Sequence, residues 1–492
     1  MGTLPVFASK TGGVPDFRVR RAAVINIGCR LNQSEGDSLR CRLANQGYEL
    51  ADTPDAFFPN LVIVNTCCVT KEAERSSLNR IRRAAALDPK PELIVTGCMA
   101  ERDPDRLGRI PGVDRVLSIA EKNRLIADLP VLPARSRAFL KVQDGCCNRC
   151  SFCVASTLRP TPRSKPADQV CREARELLSR GFHEIVLVGL NLGSYGLDSR
   201  DSLFHLLRAL ATDSQLSAST PSRLRLSSIE PETISGDLLE LLAELSRTGE
   251  LAHPRPRSPI PILCPHFHIP LQSADDRLLR AMNRRHTADK YRSLVEAILE
   301  RIPDASIGTD VIAGFPGEDD EAFRRTVRLI EDVPFGYLHV FSYSPRPGTA
   351  AFNLGDTVPR PVKKQRVAAL RELGARKSTA YRSRFLGQIR MAVTLSDVSD
   401  DTAAASQARD MGTVPAFPPR ERGTVPFLSP PTKVRIALTD NYLRVQFEDD
   451  LCLPLEGPGE LAHPHPARRS QLVPVLIKRI EGGATFGSVA AR

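Results

Sequence analysis

The segment AFLKVQDGCCNRCSFC (138–153) places four cysteines directly after a short apolar run. Cys146, Cys150 and Cys153 form the pattern C-x3-C-x2-C, and Cys147 stands outside it. Three thiolates at this spacing can hold a cubane iron–sulfur cluster while one iron keeps no protein ligand. The segment therefore predicts a strand that ends at an iron–sulfur site with an open coordination position.

A structural zinc ion is the main alternative for these three thiols. Such sites usually have four protein ligands, and their cysteines commonly occur as C-x2-C pairs. The nearest histidine, His183, lies in a different predicted unit, so the sequence offers no obvious fourth ligand. The pattern favours the cluster.

Downstream of this segment, apolar runs alternate with helical patterns, which indicates a parallel sheet. Six such β/α units suit an open, partial barrel whose functional residues lie at the carboxyl ends of the strands. The predicted strands are 138–143, 184–189, 223–228, 266–271, 306–314 and 337–343, and the predicted helices include 167–180, 233–246, 288–301 and 319–332.

A second set of cysteines, Cys29, Cys67 and Cys98, follows three upstream apolar runs at intervals of about one βαβ step. Because the carboxyl ends of neighbouring parallel strands lie side by side, three such cysteines can share one metal centre. The alternative is that each is a buried small hydrophobe, but three equivalent placements favour the shared site. The upstream strands are predicted at 22–28, 61–65 and 93–97, with helices at 33–46 and 71–87 between them.

The composition limits the class of protein and its partners. The 492 residues carry a formal net charge of +11, which favours a polyanionic partner such as RNA. No apolar run approaches the roughly 20 residues that span a bilayer, and the N-terminus lacks the apolar core of a secretory signal. Twelve cysteines in such a chain indicate metal or redox use in a reducing compartment, so we expect a cytoplasmic protein without a membrane partner.

A C-x3-C-x2-C motif after the first strand of a β/α barrel resembles the radical S-adenosylmethionine (SAM) superfamily. The upstream cysteines narrow the resemblance to the methylthiotransferases, over about residues 22–396 and again over roughly 433–480. The stretches that are similar to the tRNA threonylcarbamoyladenosine branch are GCRLNQSE, NTCCVT, VQDGC, GLNLGSYG, RLSSIEP, PHFHIPLQS, DVIAGFPGE, FSYSPRPGTAA and TDNYLRV. VASTLRPTPRSKP, after the cluster motif, and Ala274 depart from the family pattern, but all six cluster cysteines remain.

The resemblance implies an α/β protein with an N-terminal parallel-sheet cluster domain, a radical SAM partial (β/α)6 barrel and a small C-terminal TRAM-like β-barrel. The implied division is an extension at 1–20, the cluster domain at 21–130, the radical SAM domain at 131–380 with an insertion at about 247–262, the TRAM-like domain at 381–480 interrupted at about 400–432, and a tail at 481–492.

The implied activity is that of a transferase that adds a methylthio group to C2 of N6-threonylcarbamoyladenosine next to the tRNA anticodon. The implied cofactors are SAM and two [4Fe–4S] clusters, one at Cys146, Cys150 and Cys153 and an auxiliary one at Cys29, Cys67 and Cys98. A one-electron reductant such as flavodoxin or ferredoxin is a further implied partner, and the sulfur donor is unknown. The candidate SAM contacts at the strand ends are Gly189, Asn191, Ser228, Glu230, His268, Gln272, Asp310 and Gly314.

RNA contacts are expected from a basic helix at 363–385 and from Tyr442 and Arg444 near the C-terminus. Within the same enzyme class, the alternative substrates are isopentenyladenosine in tRNA and an aspartate of a ribosomal protein. A non-catalytic iron–sulfur protein that binds RNA is the alternative from another class.

Overall fold

The computed structural model describes residues 20–51, 58–127, 129, 131, 133, 135–213, 222–247, 262–395, 434–448 and 471–490. The expected interruption at about 400–432 lies outside these residues, as do nearly all of the expected extension at 1–20 and insertion at about 247–262. Within the described part of the chain, no helix has both the length and the apolar character needed to cross a membrane.

The N-terminal unit is a five-stranded parallel sheet in the order β2-β1-β3-β4-β5. Its central strand, LVIVNT, is buried at every position, as expected for a parallel strand with both faces covered. The elements in chain order are β1 (Arg21–Asn26), α1 (Arg30–Asn45), β2 (Glu49–Ala51), β3 (Leu61–Thr66), α2 (Lys71–Ala85), β4 (Glu92–Gly97), α3 (Cys98–Arg102), α4 (Pro104–Gly108), β5 (Arg115–Val116) and α5 (Ile119–Ile126).

The middle unit is a partial barrel made of two three-stranded parallel sheets, β6-β9-β10 and β11-β12-β13. Isolated bridges at Leu224–Leu263 and Ser228–His268 join the two sheets. Its elements are β6 (Ala138–Lys141), β7 (Gln143–Asp144), α6 (Val154–Leu158), β8 (Arg163–Ser164), α7 (Ala167–Ser179), β9 (Glu184–Val188), α8 (Leu203–Thr212), β10 (Arg223–Leu226), α9 (Gly236–Ser246), β11 (His266–His268), α10 (Asp276–Ala281), α11 (Ala288–Arg301), β12 (Ser306–Ala313), α12 (Asp320–Asp332) and β13 (Tyr337–Ser342).

The barrel strands separate an apolar outer layer from a polar interior. Leu224, Phe267 and Leu338 belong to the largest apolar core of the molecule, which includes residues of the surrounding helices. Because side chains alternate along a strand, the intervening positions point the other way. On three strands those positions carry polar side chains: Arg223, Arg225, His266, His268, Tyr337 and His339.

The C-terminal unit begins with the long helix α13 (Arg360–Ser383) and continues as a closed barrel, β14-β15-β16-β18-β17. The strands are β14 (Ile389–Leu395), β15 (Val434–Thr439), β16 (Arg444–Glu448), β17 (Leu472–Glu481) and β18 (Ala484–Val489). Together, the three units confirm the predicted fold class. The expected tail at 481–492 is wrong in part, because β18 lies within it and pairs with β16 and β17 to close the barrel.

Two buried arginines of β10 dock the C-terminal barrel onto the middle barrel. Arg223 donates to Met391 O and Leu438 O at 2.8 Å, and Arg225 donates to Asp440 O and Thr439 O at 3.0 Å. Glu184 balances both guanidiniums. Burial alone would raise the pKa of Glu184, but Arg225 and Arg223 outweigh it and hold this pKa far below the ordinary value.

The structure differs from the predicted elements mainly at their ends. The short edge strands β2 and β5 carry too few residues to show an apolar pattern. Helix α9 begins at Gly236 rather than at 233, because Ser235 caps it through Leu238 N at 3.3 Å and residues Pro231–Thr233 form a separate 3-10 turn.

Candidate active site

The upstream cysteines lie at the carboxyl ends of β1, β3 and β4, on one edge of the N-terminal sheet. Cys67 and Cys98 are buried, and Cys29 is exposed. Gly28, at φ +100°, makes room for Cys67, because a Cβ there would lie 2.7 Å from the Cys67 Sγ. Gly97, at φ +96°, allows the chain to turn into Cys98 against the carbonyl of Thr66.

The three upstream thiols influence one another electrostatically. Burial raises the pKa of Cys67 well above its usual value, and the neighbouring Cys98 and Cys29 raise it further. Burial also raises the pKa of Cys98, although Arg159 opposes the shift. Since thiolates crowd each other here, a positively charged metal centre would stabilise the deprotonated trio.

The downstream cysteines lie on the loop between β7 and α6. The backbone holds this loop through Cys146 N to Arg159 O at 2.9 Å and Cys153 N to Cys150 O at 3.0 Å. Gly145, at φ +76°, is required before the motif because a Cβ would lie 2.0 Å from Thr161 O. The loop therefore has a fixed backbone path.

Two side chains donate to the sulfur atoms of this loop. Asn191 Nδ2 lies 3.7 Å from Cys146 Sγ, and Arg284 Nη1 lies 3.4 Å from Cys150 Sγ. Glu230 holds the Arg284 guanidinium, with Nη1 to Oε1 at 3.1 Å. Burial raises the pKa of Cys150 to about 12, and Arg284 partly opposes this by favouring the thiolate.

Neither cysteine trio has the close sulfur spacing of a single-ion site. Among the residues that the structure describes, the ligand atoms that all lie within 4.8 Å of one another are those of His268, Asp310 and His339, not those of either cysteine trio. Sulfurs on one tetrahedral zinc, with bonds of about 2.3 Å, would lie roughly 3.8 Å apart. Three sulfurs with no fourth protein ligand fit an iron–sulfur cluster instead.

The two trios face the same region of the molecule. Val154, the residue after Cys153, packs in the apolar cluster that contains Cys98 and Met99. The loop of the downstream trio therefore lies against the edge of the sheet that carries the upstream trio. Cys68 belongs to the same apolar cluster, and Cys147 is exposed; the sequence assigns neither a role.

Three of the candidate SAM contacts lie beside the downstream trio. Gly189 and Asn191 contact Gln143, whose Oε1 accepts from Asn191 N at 3.0 Å. Gln143 Nε2 in turn donates to Gly145 O at 2.7 Å. Through Arg284, Glu230 reaches Cys150.

His268 and Asp310 lie together in the polar interior of the barrel. His268 Nε2 and His339 Nδ1 lie 2.9 and 3.1 Å from Asp310 Oδ1, and His268 Nδ1 lies 3.1 Å from the Tyr337 hydroxyl. Burial alone would raise the pKa of Asp310, but the two histidines outweigh it and hold this pKa far below the usual range. The group is a compact, hydrogen-bonded chain of polar side chains.

The other three candidates have different surroundings. Ser228 is exposed and bridges to His268. Gln272 is buried at φ +69°, and its backbone nitrogen donates to Asp310 O at 2.8 Å. Gly314 is covered by Lys363, whose Cγ would lie 2.4 Å from an added Cβ, so this glycine makes room for a protein side chain.

Arg284, His339 and Tyr337 were not among the residues proposed from the sequence. The only available signal was the alternation of polar residues in HFH and YLH, which predicts that one face of each strand is polar. For Arg284 there was none, because its partners Cys150 and Glu230 are 134 and 54 residues away.

Tyr442 points into the molecule. Its ring stacks on His266 with centroids 4.0 Å apart, and its hydroxyl accepts from Arg30 Nη2 at 3.0 Å. The Arg225 guanidinium lies 5.2 Å from the ring centroid. Tyr442 thus joins all three units, which does not favour the RNA contact expected from the sequence. Arg444 is half-buried on β16.

Half of the cations of the long basic helix α13, and Arg384 directly after it, have partners elsewhere in the fold. Arg366 pairs with Glu318 at 2.7 Å, Lys377 donates to Glu331 O at 2.6 Å and Arg384 donates to Pro303 O at 2.6 Å. Lys363 pairs with Asp356, and Arg382 donates to Gly483 O. These cations hold α13 between the two barrels, so they are poorly placed to follow an RNA backbone.

Two sequence families match the chain: the radical SAM superfamily over residues 140–330, and uncharacterized protein family UPF0004 over residues 21–118. Together with the partial barrel and its cysteine loop, this match makes the chain a radical SAM enzyme. Among curated proteins, it is 34% identical over 396 residues to threonylcarbamoyladenosine tRNA methylthiotransferase MtaB of Thermotoga maritima, covering 76% of this chain and 86% of that protein. The chain belongs to the radical SAM methylthiotransferase family.

Two further curated proteins are similar to this chain over most of its length. MtaB of Bacillus subtilis is 30% identical over 390 residues, covering 74% of this chain and 82% of that protein. The tRNA-2-methylthio-N(6)-dimethylallyladenosine synthase of Thermobifida fusca is 32% identical over 400 residues, covering 75% of this chain and 76% of that protein. The predicted family, transferase class and cofactors, SAM and [4Fe–4S] clusters, are thereby confirmed.

Proposed function

We propose that this protein transfers a methylthio group to C2 of N6-threonylcarbamoyladenosine next to the anticodon of tRNA. The observation that carries the proposal is the placement of two cysteine trios in one region, with Val154 of the downstream loop in the same apolar cluster as Cys98. The relatives named for this reaction support the choice of substrate.

We assign Cys146, Cys150 and Cys153 to the cluster that binds SAM, and Cys29, Cys67 and Cys98 to the auxiliary cluster. When bound, these groups supply radical chemistry at a carbon that general acids and bases cannot activate. Asn191 and Arg284 direct N–H groups at Cys146 and Cys150, which stabilises the thiolates and fixes their orientation. Glu230 acts by positioning Arg284.

The domain division follows from the same arrangement. The N-terminal unit at 21–130 carries the auxiliary trio, and the unit at 131–380 carries the SAM trio and the polar barrel interior. The TRAM-like unit, which we extend from the expected 381–480 to include β18 (Ala484–Val489), contacts the middle barrel at Arg223 and Arg225. We place the entrance for the substrate base between the first two units, because each of them carries one cysteine trio.

Helix α2 offers a surface for the tRNA backbone beside this entrance. It begins four residues after Cys67, and its exposed face carries Arg75, Arg80, Arg82 and Arg83. Within the described part of the chain, no hydrogen bond or ion pair engages these four guanidiniums. Cations without a partner among the described residues can exchange counterions for phosphates, unlike the paired cations of α13.

The test is anaerobic reconstitution of the full chain with iron and sulfide, followed by reaction with SAM, a strong reductant and tRNA that carries threonylcarbamoyladenosine. Mass spectrometry of the nucleosides is expected to show a methylthio product. Iron analysis is expected to give about eight irons per chain, and about half that in Cys150→Ala or Cys67→Ala.

Cys147→Ala is the matched control, because this exposed thiol adjoins the motif but lies outside it. It is expected to keep both iron content and product. A methylthio product on tRNA that carries isopentenyladenosine, or on a ribosomal protein, would contradict the proposed substrate and identify the alternative. An absence of SAM cleavage under reductant would favour a non-catalytic RNA-binding protein.

A further inference from the structure

Five charged side chains form a buried ionic network between the two cysteine trios. Glu35 accepts from Lys141 Nζ at 2.7 Å and from Arg159 Nη1 and Nη2 at 2.7 and 3.0 Å, and Lys122 Nζ also contacts it. Asp144 accepts from Arg159 Nη1 at 2.8 Å and from Lys141 Nζ at 2.6 Å. Glu35, Lys122 and Arg159 are almost completely buried.

The network contains one more cation than it has carboxylates. Among the described residues, the carboxylates that pair with Lys122, Lys141 and Arg159 are those of Glu35 and Asp144. A buried charge without a partner is costly, so the excess positive charge requires an anion nearby. The auxiliary trio is the neighbouring site for such an anion: Val154 and Leu158 of α6, the helix that ends directly before Arg159, belong to the same apolar cluster as Cys98.

The same network is tied to the backbone of both trios. Arg159 O accepts from Cys146 N at 2.9 Å, and Asp144 Oδ1 accepts from Gly145 N at 2.8 Å. On the other side, Lys122 Nζ donates at 3.2 Å to the side chain of Asn65, two residues before Cys67. Arg159 therefore holds the SAM-cluster loop by its carbonyl, and its guanidinium bonds to Glu35 of α1, the helix that begins directly after Cys29.

We propose that Arg159 is a positioning residue that raises the reduction potential of the auxiliary cluster and couples it to the loop of the SAM cluster. Reduction adds one electron from an external one-electron reductant, and no bond forms or breaks. The reduced cluster is one charge more negative, so a fixed cation nearby stabilises it relative to the oxidised cluster. Because the site is buried, water screens this effect weakly.

The charges of the network give a test in which the sign of the shift is decisive. Arg159→Gln removes a cation and is expected to lower the reduction potential of the auxiliary cluster. Arg159→Lys keeps the positive charge and is expected to keep this potential near the parental value. Glu35→Gln removes an anion at the same place and is expected to raise it. A residue that only supported the fold would not produce shifts of opposite sign.

The measurement is a redox titration followed by electron paramagnetic resonance on anaerobically reconstituted full-length protein. The auxiliary signal is isolated in a background that carries Cys150→Ala. Arg135→Gln is the control, because Arg135 pairs with Asp37 at 2.6 Å across the same two units without belonging to the network. It is expected to leave the potential unchanged.

If Arg159→Gln does not load iron, Lys122→Gln provides the second test, since Lys122 is the buried cation of the network that bonds to Asn65, two residues before Cys67. It is also expected to lower the auxiliary potential. An unchanged potential in iron-loaded Arg159→Gln or Lys122→Gln, or a downward shift in Glu35→Gln, overturns the proposal. None of these outcomes depends on the identity of the tRNA nucleoside.

Discussion

At the scale of single residues, burial rather than residue type decides what the polar groups do. His266 shows this most clearly, since it lies among Tyr337, Tyr442, Arg225 and His268 in the barrel interior. Burial, reinforced by the charges of Arg225 and Arg30, holds the pKa of His266 well below the usual range. The ring is therefore neutral and packs as an aromatic residue.

This depressed pKa predicts a loss of stability in mild acid. The unfolded chain binds a proton at His266 below about pH 6.5, and the folded chain does not. The free energy of unfolding therefore falls as the pH drops, by at most about 1.4 kcal/mol per pH unit for this group. The melting temperature of the parent is expected to fall between pH 7 and pH 5, and that of His266→Asn to fall less.

The exposed His205 provides the control, and His205→Asn is expected to follow the parent. Most carboxylates stay ionised in both states over this interval, so they contribute little to the difference. An equal fall in the melting temperatures of His266→Asn and the parent would contradict the neutral state assigned to His266.

At the scale of elements, two basic helices have different roles although their sequences look alike. Half of the cations of α13, including Arg366 and Lys377, bond to other parts of the fold, whereas those on the exposed face of α2 have no partner among the described residues. The composition of a helix indicates its charge, and only its surroundings show whether that charge is available to RNA.

The α2 surface predicts a change in the salt dependence of tRNA binding. Arg75→Gln with Arg82→Gln is expected to weaken binding and to lower the slope of log Kd against log salt by about 1.4, at roughly 0.7 per lost phosphate contact. Filter binding between 50 and 200 mM salt measures this slope.

The matched variant is Lys290→Gln with Arg328→Gln, which removes two exposed cations from the outer helices α11 and α12. It is expected to keep the parental slope. Equal effects of the two double variants would mean that the net charge, and not the α2 surface, determines tRNA binding.

At the scale of the whole molecule, interior side chains of each unit pack on, or hydrogen-bond to, residues of another unit. Tyr442 of the C-terminal barrel packs on His266 of the middle barrel and bonds to Arg30 of the N-terminal unit. Arg159 of the middle unit bonds to Glu35 of the N-terminal unit. The three units are therefore expected to function as one assembly.

The long connection between β14 and β15 is expected to be dispensable for this assembly. The two strands pair antiparallel, with Leu395 opposite Ile436, so their ends are already neighbours. Deleting residues 403–430 leaves enough chain to close a hairpin loop. Nucleoside mass spectrometry is expected to show full tRNA modification in cells that carry this deletion; a large loss would show that the segment is needed.

The sequence by itself determined the cysteine trios, the alternating strands and helices and the family, because these signals lie in short motifs and local periodicity. Cys146, Cys150 and Cys153 are within eight residues of one another, and each upstream cysteine ends an apolar run. Periodicity also placed the main barrel strands, although it missed the short edge strands β2 and β5.

Only the tertiary structure decided which charged residues serve the site. Arg159 and Glu35 are 124 residues apart in the chain, and Arg284 and Cys150 are 134 apart. No local pattern joins such partners, because folding brings them together and burial then makes each of their charges depend on the others.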